Sequence, residues 1–136
     1  MSFFSAWNLP GINEMLAVAI GGSIGSLARF LSSHYMSLWL GTTFPWGTLV
    51  VNVLGSFLIG FVATLAFNKP GLIDPGMRLF LTSGFAGGFT TFSALAFETF
   101  ALYQRGEIML VLANVGGNLV LGLIAVVIGV MLARLV

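Results

Sequence analysis

Polar side chains that recur one helical turn apart inside long apolar runs can hold an ion, bind another helix, or do both. Thr48, Asn52, Ser56 and Gly60 are spaced i, i+4, i+8 and i+12, which places them on one helix face. Asn114, Asn118 and Gly122 repeat that spacing. An amide side chain offers two donor hydrogens and an acceptor oxygen, all of which need partners away from water. Asn52 therefore points to an ion path or its support. The Asn114–Asn118 stripe points to the same, or to interhelical hydrogen bonding without transport.

A second set lies in the run Thr82-Ser83-Gly84-Phe85-Ala86-Gly87-Gly88-Phe89-Thr90-Thr91-Phe92-Ser93. Two glycines followed by two β-branched residues make a poor continuous helix, so a break is expected near Gly87-Gly88. Broken backbone at membrane depth is tolerated where it lines a cavity or is buried in protein. Freed carbonyls suit a small hard cation, and oriented N–H groups suit an anion. A glycine kink at a tight helix crossing is the plainer alternative. Arg29 follows Gly21, Gly22, Gly25 and Ser26, whose spacing forms a small-residue face for close helix approach. Arg29 is either a snorkelling arginine or a charge at a pore mouth. Glu98 is either a vestibule carboxylate or an interfacial one, and Glu14, His34 and Tyr35 fall near the ends of the first apolar stretch.

Covalent chemistry has little to work with. There are no cysteines and a single histidine, His34, which excludes thiolate nucleophiles and cysteine-ligated metals. No acid or nucleophile partner for His34 is evident, and no G-x-x-x-x-G-K-[ST] loop occurs. A net charge of +1 without a basic patch argues against nucleic acid as a ligand.

The elements that must position these residues follow from composition. Of 136 residues, 58% are hydrophobic and 7% charged, against about 25% charged in ordinary soluble domains. A bilayer core needs roughly 20 apolar residues per helical crossing. Four segments meet that length: Ile12 to Trp39, Thr48 to Phe67, Met77 to Tyr103 and Ile108 to Val136. Gly41, Pro45 and Gly47, then Pro70, Gly71, Pro75 and Gly76, then Gly106 punctuate the connections. The expectation is an all-α membrane protein of four transmembrane helices, one domain over residues 1–136. The first stretch lacks a basic n-region and reads as a retained helix, not a cleaved leader. Phe3, Phe4 and Trp7 ahead of it suit the membrane interface.

Lysine and arginine in short loops mark the cytoplasmic side. Lys69, Arg78 and Arg134 fall on one side, Arg105 on the other, and Arg29 inside the first segment. So small a bias leaves both orientations open, and if both insert, an antiparallel dimer can form from one chain.

At Gly87-Gly88-Phe89-Thr90-Thr91-Phe92-Ser93 the sequence resembles the G-G-x-T-T-F-S motif of the Fluc (CrcB) family of fluoride channels. Gly21-Gly22-Ser23-Ile24-Gly25-Ser26-Leu27-Ala28-Arg29 is similar to the family's first-span motif, and Gly47-Thr48-Leu49-Val50-Val51-Asn52-Val53-Leu54-Gly55 to its second-span motif. The resemblance covers nearly the whole chain. It implies an antiparallel, dual-topology homodimer with two pores, passive export of fluoride across a bacterial inner or plasma membrane, and a structural sodium ion at the dimer centre. By the same resemblance the sodium would be held by backbone carbonyls of Gly87 and Thr90. Asn52, Phe92 and Ser93, with Asn118, would line the fluoride pore. Arg29, Thr91, Glu98 and Asn114 would serve the vestibule or support the path.

The chain departs from the pattern where many members continue T-T-F-S-T-F. Here Ala94 and Leu95 stand in place of the hydroxyl and the second ring, and Phe89 is an extra aromatic upstream. A different class remains open from the residues: a small proton-coupled multidrug exporter, which also has four spans and a glutamate early in the first, here Glu14.

Overall fold

The computed structural model describes residues 10–136, and among them every regular element is helical. Helix α1 (Ile12–Leu40) and α2 (Trp46–Asn68) are continuous. The third crossing, Pro75–Gln104, is composite: α3 (Pro75–Leu79), a π-helical segment (Phe80–Ala86), α4 (Gly87–Phe89) and, after an interruption, α5 (Phe92–Gln104). Helix α6 (Ile108–Leu135) completes the chain. All four crossings are long and apolar enough to span a bilayer, with peak mean hydropathies of 1.3 to 2.4. The sequence-derived ends lie within a few residues of these. Phe3, Phe4 and Trp7 lie outside the described residues.

Burial is inverted relative to a water-soluble protein. Leu, Ile, Val, Met and Phe side chains cover the outside, whereas Asn114 (0% exposed), Thr48 (3%) and Asn118 (7%) are inside. A lipid environment produces this distribution, because apolar chains lose nothing by facing hydrocarbon while polar groups must find partners within the protein. The chain is a multi-pass membrane protein.

Small residues set the packing. Helices α2 and α6 form the most extensive pair. They meet where a Cβ on Gly60 would lie 3.1 Å from Val126 Cα, and one on Gly129 would lie 2.8 Å from Phe61 N. Helix α1 seats on the π-helical segment and α4: a Cβ on Gly25 would lie 3.0 Å from Phe89 N, and one on Gly21 3.0 Å from Phe85 N. The small-residue face read from the sequence is thus the α1 contact surface.

The third crossing breaks close to where the sequence indicates, but Gly87 and Gly88 do not themselves form the break. Gly87 is helical (φ −62°, ψ −40°), and Gly88 lets α4 approach Gly22, where an added Cβ would lie 3.1 Å from Gly22 Cα. Helical geometry ends at Thr90 (φ −84°, ψ 158°) and Thr91 (φ −154°, ψ 117°). The β-branched pair adopts the extended conformation it favours, and its hydroxyls replace the lost ladder. Thr90 Oγ1 donates to the Ala86 carbonyl at 2.9 Å. Thr91 Oγ1 accepts from Ala94 N–H at 3.2 Å as the N-cap of α5.

Candidate functional site at the helix break

Every residue singled out from the sequence, apart from Glu14, lies at or beside the Thr90–Thr91 interruption. Asn52, on the α2 stripe, accepts from Thr91 N–H through Oδ1 at 2.8 Å and donates through Nδ2 to the Thr91 carbonyl at 3.2 Å. The second Nδ2 hydrogen goes to Asn118 Oδ1 at 2.8 Å. Asn118 Nδ2 donates to the Asn114 carbonyl at 2.9 Å and to Asn114 Oδ1 at 3.1 Å. Asn114 Nδ2 donates to Thr99 Oγ1 at 3.1 Å. The two asparagine stripes therefore form one connected network.

Diverting Thr91 N–H to Asn52 deprives the Gly87 carbonyl of its i+4 helical donor. Gly87 is exposed on the protomer surface and Thr90 is half-buried. The Thr90 carbonyl receives one long contact, from Arg29 Nη1 at 3.4 Å. Two carbonyls at the break are thus weakly engaged or free of helical donors, which is the donor chemistry a hard cation takes.

Three cavities run in series along this site. The first, of about 270 Å³, lies under the α1–α2 connection and reaches Ser33, Thr48 and Glu98, with Arg105 among its lining residues. The second, of about 500 Å³, shares Ser33, Thr48 and Glu98 and continues past Arg29 and Ser93 to Thr91. The third, of about 410 Å³, begins at Thr91 and passes Phe92, Asn52 and Asn118 to Ser56. Thr91 is the single residue common to the second and third. Its hydroxyl lies 3.2 Å from Ser93 Oγ. Phe92 projects outward, 80% exposed on the isolated protomer, and Leu95 lines the third cavity beside it.

Glu98 stands at the junction of the first two cavities. Thr48 Oγ1 donates to its Oε1 at 2.7 Å, while Oε2 is sealed from solvent without a partner. Phe89, the extra aromatic, stacks on Phe85 at 5.5 Å and is buried, so it belongs to the packing behind the break. Glu14 sits apart: its Oε2 accepts from Gly11 N–H at 2.9 Å, bracing the first turn of α1. His34 stacks between Phe30 and Tyr35 along α1.

Sequence reasoning missed the pairing of Thr48 with Glu98 and the role of Thr99. Both were within reach. Thr99 follows Thr91 by eight residues and so shares its face of α5. Thr48 heads the Asn52 stripe.

The family model described as CrcB-like protein, Camphor Resistance (CrcB), matches residues 16–130. A Thermus thermophilus protein named fluoride-specific ion channel FluC is 47% identical over 119 residues, covering 88% of this chain and 92% of its own. Proteins of the same name from Rhizobium meliloti and Hydrogenovibrio crunogenus are each 45% identical, over 123 and 117 residues. They are covered to 98% and 88% of their lengths, and cover 90% and 86% of this chain. With the matched region running from α1 into α6 and enclosing the whole helix break, the chain belongs to the CrcB-like family.

Proposed function

We propose that this chain is a fluoride-selective channel that passively releases fluoride from the cytoplasm across the cell membrane. The observation that carries the reading is the series of three cavities meeting at Thr91, lined by hydroxyls, amides and an aromatic ring. The name shared by its relatives supplies the ion.

Fluoride is small and strongly hydrated, so a pore must replace its water with donors. Ser93 Oγ–H donates toward the path. The rim of the Phe92 ring is electropositive and suits an anion, unlike its face. Asn52 reaches fluoride by giving up its longer bond, the 3.2 Å contact to the Thr91 carbonyl. Asn118 contributes by holding Asn52. Arg29 and Glu98 form the vestibule, where the positive charge draws the anion inward and the carboxylate limits how tightly it is held. A few weak donors let an ion enter and leave, as conduction requires.

The active unit in this proposal is an antiparallel homodimer. Gly87 and Thr90 of both protomers would present their carbonyls to a sodium ion at the dimer centre, where the cation would fix the assembly and raise the local positive potential. The fit rests on the Gly87 carbonyl, whose helical donor has gone to Asn52.

The test is efflux from liposomes holding the purified protein and loaded with fluoride or chloride, a potassium ionophore balancing charge. Rapid fluoride loss with chloride retained is the expected result. Retention of both ions by folded protein overturns the reading and makes proton-coupled export of a hydrophobic cation the next assay.

A further inference from the structure

Helix α5 carries Phe92, Ser93 and Glu98, yet little within the protomer fixes its rotation. Leu102 is its one buried side chain. Phe92, Phe97 and Phe100 are exposed, at 80%, 73% and 56%. Apolar packing therefore holds the helix near its C-terminal end alone. What remains is polar. Asn52 grips the backbone at Thr91, and Asn114 grips Thr99 two turns further along the same face.

The direction of every hydrogen bond in this connection is determined. A backbone N–H can only donate, so Asn52 must turn Oδ1 to Thr91 N–H and Nδ2 away from it. Asn118 must then receive Nδ2 of Asn52 on Oδ1. A second anchor agrees: Asn118 Nδ2 faces the Asn114 carbonyl, which can only accept. Asn114 thus presents its oxygen to Asn118 and its Nδ2 to Thr99, whose hydroxyl has to serve as the acceptor. Asn114 is fully buried, so the hydrogen it offers Thr99 has no water to turn to.

We infer that Thr99 and Asn114 are positioning residues for the pore: they set the rotation of α5 through one buried hydrogen bond. Neither borders the cavities at the break. They act through the helix that carries Ser93 and Phe92. The functional half of the inference rests on the channel reading, and the geometric half does not.

Two readouts on Thr99→Val and Thr99→Ser test it. Valine is close in shape and lacks the acceptor, whereas serine keeps it. The first readout uses the absence of cysteine from the chain. Ser93→Cys supplies a unique thiol whose labelling rate by a methanethiosulfonate reagent reports the rotation of α5. Thr99→Val is expected to change that rate about fivefold or more, the scale of losing one interhelical hydrogen bond in a membrane, and Thr99→Ser to preserve it. The second readout is fluoride efflux without the cysteine, resolved into the fraction of vesicles that empty and the rate at which they do. Thr99→Val is expected to slow the rate at an unchanged fraction, with Thr99→Ser near wild type. Unchanged labelling in Thr99→Val, equal disturbance by both variants, or a loss confined to the emptying fraction overturns the inference. Wild-type protein that releases no fluoride refutes the channel reading instead, and the labelling comparison still decides the geometry.

Discussion

Asn52 pairs with both polar groups of the Thr91 backbone, accepting its N–H at 2.8 Å and donating to its carbonyl at 3.2 Å. One side chain on α2 thus does for Thr91 what a further turn of helix would have done. The third crossing can open in the membrane without leaving Thr91 unsatisfied.

Replacing Asn52 with alanine removes that substitute and also strips Asn118 Oδ1 of its donor. Each unpaired buried group costs about 1–3 kcal/mol, reduced toward ~0.6–2 kcal/mol where the membrane-embedded unfolded state finds other partners. The expected result is fluoride efflux at least tenfold slower, about the factor that 1.4 kcal/mol represents, with a lower midpoint in detergent-induced unfolding. Wild-type efflux from Asn52→Ala protein would remove this residue from the site.

Close approach of α1 makes a stability prediction independent of any ion. A Cβ on Gly25 would come within 3.0 Å of both Phe85 C and Phe89 N, and closer still to the Phe85 carbonyl oxygen. Gly25→Val should cost about 2 kcal/mol or more by overpacking against rigid backbone. Gly116 has no atom within 4 Å of its added Cβ, so Gly116→Ala should be neutral or gain up to ~1 kcal/mol in helix propensity. Thermal midpoints in one detergent compare the two, and equal midpoints would contradict the packing described.

Arg29 touches the Thr90 carbonyl at 3.4 Å, a long and weak contact. Its effect should therefore be mainly through charge. Arg29→Gln should slow fluoride entry severalfold at 10 mM salt and progressively less toward 0.5 M, as the screening length falls from about 30 Å to below 10 Å. Arg29→Lys should keep most of the rate. A salt-independent defect would point to the hydrogen bond instead.

Phe92 lies 80% exposed on the protomer and packs against little of its own chain. Its removal should leave the fold of the protomer intact. Phe92→Ala is expected to reduce fluoride efflux about fivefold or more, the equivalent of roughly 1 kcal/mol for one oriented ring contact. The helical circular-dichroism signal should not change. Unaltered efflux would take the ring out of the path.

Much of this was legible in the sequence because membrane insertion leaves a coarse signature. Four apolar runs, the small-residue spacing Gly21–Gly25, and the Asn52 and Asn114–Asn118 stripes all depend on periodicity along one helix, which a linear string preserves. Less legible was whatever depends on two segments meeting. Gly87-Gly88 look like the break, yet the helix runs through them, because Gly22 lies against Gly88 and α1 needs the space. The extended residues are Thr90 and Thr91, where Asn52 happens to sit opposite. The pairing of Thr48 with Glu98 joins residues fifty positions apart, and no local pattern encodes that distance. The π-helical turn at Phe80–Ala86 has no signature that propensity reading detects.

That π-helical turn makes the third crossing sensitive to residue count in a way the other three are not. A π turn accommodates a residue that α geometry would have no room for. Deleting any one residue within Phe80–Ala86 would let the stretch close as ordinary α-helix, turning everything beyond it by about 100° and drawing it back by ~1.5 Å. Gly88 would lose its seat against Gly22, and Thr91 would swing away from Asn52. Those seven residues therefore act as a phase spacer, so the crossing should tolerate exchanges of side chain there far better than any change of length.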